Sequence, residues 1–149
     1  IWAVMAFAEL GEVERAWELF AMLNPVRHET KVYRVEPYVV AADVYAVPPH
    51  TGCGGWTWYT GSAAWMYRLI VESLLGLRLE SGKLRLRPSL PAAWESFKIH
   101  YRFRETFYHL TVKKSELHKM RISLDGVEQP HDAISLVDDR QEHQIEVTL

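Results

Sequence analysis

The hydrophobic period of this chain changes once, from helical to two, and the change falls at Gly76. Before it, Val13, Ala16, Trp17 and Phe20 recur at helical spacing, with Glu12, Glu14, Arg15 and Glu18 on the other side. Residues 60–75 place Ala64, Met66, Leu69, Ile70 and Leu74 on a wide apolar face, and Gly76 stands where a helix-ending glycine belongs. Arg68 and Glu72 are spaced for a surface pair of small energetic weight. After Gly76, residues 83–87 alternate, and residues 97–103 alternate with apolar side chains on one face and basic ones on the other. Residues 106–112 follow a short turn. Residues 121–124 run into Asp125-Gly126, 133–137 into Asp138-Asp139, and 144–149 close the chain. The pattern predicts an α+β protein: helices first, then about half a dozen short strands forming an antiparallel β-sandwich or packed sheet. The expected division is 1–80 and 81–149.

Residues 1–10 are apolar nearly all round, which predicts a helix covered on several sides and read as a piece of a longer protein. Gly11 breaks it, and Asn24-Pro25 stops the next helix, so an antiparallel helix pair is expected. Residues 25–55 show no helical period. A connection of this length inside a domain is uncommon and usually functional or disordered, and its aromatic content speaks against disorder. Glu36 and Asp43 lie among apolar neighbours there. Each reads as a solvated loop acid or, from its place before a tryptophan-rich stretch, as a polar contact to a substrate.

That stretch is Gly54-Gly55-Trp56-Thr57-Trp58-Tyr59-Thr60-Gly61-Ser62-Ala63-Ala64-Trp65. It ends in Thr-Gly-Ser where a helix is expected to begin. The start of a helix leaves backbone N–H groups without intrahelical partners and carries partial positive charge, so an oxyanion is solvated there by fixed donors. Gly61 leaves the backbone open to close approach, and Thr60 or Ser62 can cap the helix. An ordinary capped helix with buried aromatics is the plain alternative. Aromatic faces beside carboxylates and hydroxyls hold sugars by stacking and directed hydrogen bonds. With an anion site, the pattern suggests a sugar handled together with phosphate.

Several function classes find no support. A net charge of −2 makes no electrostatic case for nucleic acid or a membrane surface. No apolar run approaches transmembrane length. The single cysteine, Cys53, excludes an internal disulfide and suits a reducing compartment. Nucleophile-elbow, phosphate-loop and dinucleotide motifs are absent, and no His or Cys spacing suits zinc. His28, His50, His100, His109, His118, His131 and His143 are scattered and read as surface histidines.

The segments Asn24-Pro25, 34–45, Pro48-Pro49-His50-Thr51-Gly52 and 54–68 together resemble glycoside hydrolase family 94, the cellobiose and chitobiose phosphorylases. Ala41-Ala42-Asp43-Val44-Tyr45 and Pro48-Pro49-His50-Thr51-Gly52 are most similar to the phosphorylase-like domain of the cyclic β-1,2-glucan synthetase branch. The likeness continues through Leu75-Gly76-Leu77-Arg78, Leu86-Arg87-Pro88, Leu90-Pro91-Ala92-Ala93-Trp94, Leu124-Asp125-Gly126-Val127 and Leu136-Val137-Asp138-Asp139, essentially the whole chain.

The resemblance implies the last helices of an (α/α)6 catalytic barrel in 1–80, followed by a C-terminal β-sandwich in 81–149. It implies cleavage of a β-glucosidic bond by inorganic phosphate with inversion: phosphate replaces the activated water of an inverting glycosidase, while a carboxylic acid protonates the leaving oxygen. Thr60 and Gly61 match the Thr-Gly that contacts phosphate. Glu36, Tyr38, Asp43 and Trp58 are expected to line the sugar site. No catalytic residue is assigned, because the family's catalytic Asp lies upstream and a phosphate-contacting His falls just before Ile1; no metal ligand is assigned either, as no His or Cys spacing suits one. The implied partners are a β-glucan oligosaccharide, phosphate as co-substrate with no cofactor, and the remaining part of the same barrel, with no nucleic acid and no membrane contact from this segment. The implied location is cytoplasmic, whether the parent is free or anchored in the inner membrane. Cys53 departs from the Arg common in this branch, and the loop over 28–34 is shorter than usual. A non-catalytic glycan-binding or structural β-sandwich module is the alternative reading.

Overall fold

The computed structural model describes residues 1–36, 38–58, 60–115 and 119–149; of Thr60 only the backbone is described. Its elements are α+β in order, helices before strands, in two compact units, Ile1–Leu74 and Leu75–Leu149.

In the first unit, α1 (Trp2–Glu9) and α2 (Val13–Leu23) are joined by a turn at Gly11, whose φ of +78° an L side chain rarely adopts. The Leu10 N–H donates to Ala6 O, and Glu12 N–H to Phe7 O, so the end of α1 is closed by backbone bonds. Val4, Ala8 and Ala16 are buried together with Met66, Leu69 and Leu74, and Phe7, Trp17 and Phe20 pack against this cluster. The expected burial of α1 on several sides is not found: Trp2, Ala3 and Ala6 are exposed. One apolar face is used within the unit, covered by α2, the chain over 66–74 and Val40.

Asn24 ends α2 and caps the 3-10 turn Pro25–Arg27, its Oδ1 accepting from the Val26 N–H at 3.3 Å. A single turn, α3 (Thr30–Tyr33), follows within the stretch where no helix was expected; four residues are too few for a hydrophobic period to register. The long connection ends at α4 (Thr60–Arg68), which widens into a π-helical segment, Leu69–Leu74. Met66, Leu69 and Leu74 are buried as expected, whereas Ala64 is exposed. Arg68 holds Glu72 through both carboxylate oxygens, Nη2 to Oε2 at 2.8 Å.

The second unit begins with Gly76 at φ +75°. A Cβ there would lie 2.2 Å from the carbonyl of Arg87, so the position needs glycine for its conformation and for its space. The strands are β1 (Leu77–Glu80), β2 (Lys83–Leu86), β3 (Ser96–Phe103), β4 (Thr106–Lys113), β5 (Arg121–Leu124), β6 (Val127–Glu128), β7 (Ala133–Ser135) and β8 (Glu142–Thr148). They form a three-stranded sheet, β1-β2-β7, and a five-stranded sheet, β3-β4-β8-β5-β6. β1 pairs with β2 from Leu77↔Leu86 to Glu80↔Lys83, and both strands lie in the second unit.

The antiparallel expectation holds for five of the strand pairings and fails for one. β4 and β8 run parallel, from Phe107↔Glu142 to Lys113↔Thr148. Alternation predicts which side chains share a face, but says nothing of which strand lies beside which. Tyr108, Leu110 and Val112 of β4, Ile145 and Val147 of β8, and Ile122 of β5 are all almost fully buried. Full burial of each such side chain contributes about 1.5–3 kcal/mol.

Polar groups at one corner of this unit are tied together. Thr106 is fully buried, and its Oγ1 accepts from the Asp139 and Arg140 N–H groups at 2.9 and 2.8 Å. Tyr108 Oη accepts from the Val137 N–H at 2.8 Å and donates to its carbonyl at 3.0 Å. His143 stacks on Tyr108 and lies between Asp125 (Nδ1 to Oδ2, 2.6 Å) and Asp139 (Nε2 to Oδ2, 3.2 Å). His143 is therefore not a surface histidine, since its side chain is only 14% exposed. His118 lies outside the described residues.

Candidate functional site

The connection before α4 folds back on itself as an irregular hairpin. The Ala42 N–H donates to Trp56 O at 2.8 Å, the Gly55 N–H to Asp43 O at 2.8 Å and the Tyr45 N–H to Cys53 O at 2.9 Å; Val44 and Gly54 form an isolated antiparallel bridge. The Gly54 N–H reaches Tyr33 O at 2.8 Å, which anchors the hairpin to α3. Tyr33, Val35 and Val39 are buried beneath it as a small cluster with Ala41 packed against them. Burial raises the Tyr33 hydroxyl's pKa, and a hydrogen bond with the Ala41 backbone opposes that rise.

Of the residues singled out in the sequence, three meet. The Trp58 indole N–H donates to Glu36 Oε1 at 3.2 Å, and the Tyr38 ring meets Trp58 edge-on with centroids 5.7 Å apart. Trp58 sits at φ +64°, a left-handed conformation that costs a bulky residue on the order of 1–3 kcal/mol. Tyr38 and Trp58 are nevertheless 70% and 61% exposed. The Trp58 indole is thus held by a carboxylate on a strained backbone, and both rings face outward. Neighbouring Trp56 is 69% exposed.

Asp43 works differently. Its Oδ1 accepts from the Trp56 N–H at 3.1 Å, so this carboxylate pins the hairpin. A Cβ at Gly55 would come within 2.2 Å of Asp43 Oδ2, and that contact explains the glycine. Asp43 thus fixes the course of the chain leading to Trp56 and Trp58.

Gly61 lies in the first turn of α4, and no described residue outside that turn comes within 4 Å of where a Cβ would stand. It lines a 590 Å³ cleft with Ser62, Trp65, Ala42, Trp2 and Ile1. Trp2 and Trp65 meet edge-on across this cleft wall at 5.4 Å, and the Arg68 guanidinium lies 4.9 Å over the Trp65 ring. The Thr60 side chain lies outside the described residues. No hydrogen bond or ring contact among the described residues joins Gly61 to the Glu36, Tyr38 and Trp58 group; Ala42 connects them by lining the cleft and following Tyr38 in the chain. Sequence reasoning missed the cleft lining. The apolar run from Ile1 was the signal for it. A second cleft, of 440 Å³, lies in the other unit beside Arg121, Glu128 and Asp132 and contains none of the expected residues.

The described residues include no group of three or more His, Cys, Asp or Glu side chains able to hold a metal ion. None of their helices is long and apolar enough to cross a membrane.

The aromatic pair, the carboxylate that braces it and the start of α4 belong to one stretch of chain. Comparison with known sequences gives the class its name: the chain belongs to the glycosyl hydrolase 94 superfamily, whose catalytic domain matches residues 1–76. Residues 77–127 match the glycosyl hydrolase family 65 C-terminal domain. Among relatives, the chain is 48% identical over 118 residues to the cyclic β-(1,2)-glucan synthase NdvB of Rhizobium meliloti, covering 76% of this chain and 4% of that protein. It is 32% identical to an N,N'-diacetylchitobiose phosphorylase of Vibrio furnissii and 29% identical to a solabiose phosphorylase of Paenibacillus borealis, covering 75% and 76% of this chain. The chain spans only 14% and 15% of those two enzymes. The family assigns this chain to carbohydrate metabolism among glycoside phosphorylases and a cyclic glucan synthase.

Proposed function

We propose that this chain forms part of the phosphate and sugar site of an inverting β-glucan phosphorylase-type enzyme of the cyclic β-1,2-glucan synthetase kind. Glu36, Tyr38 and Trp58 contact a glucosyl unit, with Asp43 holding the hairpin and its free oxygen available to a hydroxyl. The backbone at Thr60 and Gly61 binds inorganic phosphate. The observation that carries this reading is the Glu36–Trp58–Tyr38 group, braced and outward-facing, in the same connection that delivers Gly61 to the cleft.

In this reading the phosphate sits at the start of α4, where unpaired N–H groups and the helix dipole favour an anion before any bond changes. Bound phosphate attacks the anomeric carbon on the face opposite the leaving oxygen, and that oxygen takes a proton from a carboxylic acid. No residue of this chain is assigned to that acid. It belongs to the part of the catalytic domain outside this chain, and the exposed Trp2, Ala3 and Ala6 of α1 face that part. The two units are the end of an (α/α)6 barrel and a β-sandwich, and phosphate is co-substrate with no cofactor. The chain alone is expected to bind without turning over, wherever the parent enzyme resides.

Amide and indole NMR of the chain tests this. Inorganic phosphate should shift the amides of residues 60–63, and β-1,2-glucooligosaccharide should shift the Trp58 indole N–H. Neither mixture should yield sugar phosphate. Sugar-induced shifts confined to residues 75–149 would favour a glycan-binding module instead, and turnover by the chain alone would overturn the assignment of the acid elsewhere.

A further inference from the structure

We infer that His100 and His109 form a two-histidine site for a divalent transition-metal ion on the outward face of the five-stranded sheet. The two residues are direct partners in the β3–β4 ladder, so their side chains leave the same face. Their rings meet nearly edge-on, with centroids 4.8 Å apart and the two Nδ1 atoms 2.6 Å apart. At that distance at most one Nδ1 carries a hydrogen, so at least one lone pair points into the space between the rings. An ion bound by both nitrogens at about 2.0–2.1 Å requires them to part to roughly 3 Å, a small rotation of each ring.

The surroundings of His109 favour that use. Its Nε2 is buried and has no hydrogen-bond partner among the described residues. Glu142 Oε2 on the neighbouring strand β8 lies 3.3 Å away, near enough for an ion pair but not aligned for a hydrogen bond. When Nδ1 binds a metal, the ring's hydrogen moves to Nε2, and Glu142 then becomes its acceptor. A carboxylate behind a metal-binding imidazole fixes its tautomer and makes the ligand more basic. One event thus gives the buried nitrogen a partner and uses the converging pair. Imidazole pairs select zinc, nickel or copper over hard cations. No third protein ligand converges among the described residues, so water completes the coordination.

The site is independent of the proposed phosphate and sugar chemistry. The test is titration of the whole chain with Ni2+ by calorimetry, and with Zn2+ while following the histidine ring signals by NMR. We expect one Ni2+ per chain, at least about tenfold weaker in His100→Gln or His109→Gln and about tenfold weaker in Glu142→Gln. Zn2+ should shift the His100 and His109 signals before those of the other five histidines. His100 is exposed, so the metal-free His100→Gln variant should unfold at the temperature of the parent. Unchanged Ni2+ affinity in the double His variant, or Zn2+ shifts at other histidines first, would overturn the site.

Discussion

The hairpin over 42–56 and the β4–β8 pair solve opposite problems. In the sheet, alternation sends Tyr108, Leu110, Val112, Ile145 and Val147 to one side, where all are buried, and the backbone ladder satisfies itself. In the hairpin, a few backbone bonds, one carboxylate and close-packed glycines hold the chain, while Trp56 within it and Tyr38 and Trp58 on either side of it remain in solvent. Burial of large side chains makes the sheet stable. The hairpin instead spends local strain and unburied aromatic surface to present side chains, as binding segments do.

The largest way to break this contrast is Leu110→Ala, which empties a fully buried position. Urea denaturation should show a loss of about 2–5 kcal/mol. Gly55→Ala comes next. The added Cβ collides with Asp43, so its hold on the Trp56 N–H should fail, at about 1.5–3 kcal/mol in thermal unfolding of the first unit. Gly61→Ala is the control within the same motif: its Cβ meets open space, and stability should stay within about 1 kcal/mol or rise. A large loss at Gly61 would show that the open cleft is not open.

A smaller effect is expected from pH. The Asp125 hydrogen bond and the charges of Asp125 and Asp139 raise the His143 pKa. Its contribution to stability is therefore full below about pH 6.5 and is lost as pH rises through the raised folded value. Asp125 moves the other way, held down chiefly by the Gln144 N–H and then by His143. Its contribution is full above about pH 3.9 and is lost as pH falls through the depressed value. The midpoint temperature of the second unit should thus be highest between these limits, and His143→Gln should flatten the upper side of that profile in scanning calorimetry. The smallest effect on stability is Trp58→Ala, within about 0.5 kcal/mol, because the ring is mostly exposed. The same variant should abolish the response to glucooligosaccharide. A stable variant that binds sugar normally would separate the platform from function.

Much of this was legible in the residues. The helix pair around Gly11 and the strands after Gly76 follow from periodicity and turn chemistry, and the structure has them nearly where expected. Glu36, Tyr38 and Trp58 each stand out in an aromatic loop with a family likeness, but their meeting is not visible there, since Trp58 follows Glu36 by 22 positions. By sequence His100 and His109 are surface residues like the other histidines. Only the tight turn between β3 and β4, with Arg104 at φ +55°, sets the register that makes them opposite.

The sequence alone determined the order of elements, the place where helix gives way to strand, and the glycine at 76, because period and backbone conformation are local properties of neighbouring residues. Tertiary structure decided that β4 and β8 run parallel, that Asp43 pins the hairpin over Gly55, and that His143 lies between two aspartates. Those outcomes depend on which segments become neighbours in space, and that choice is settled by packing the whole unit at once.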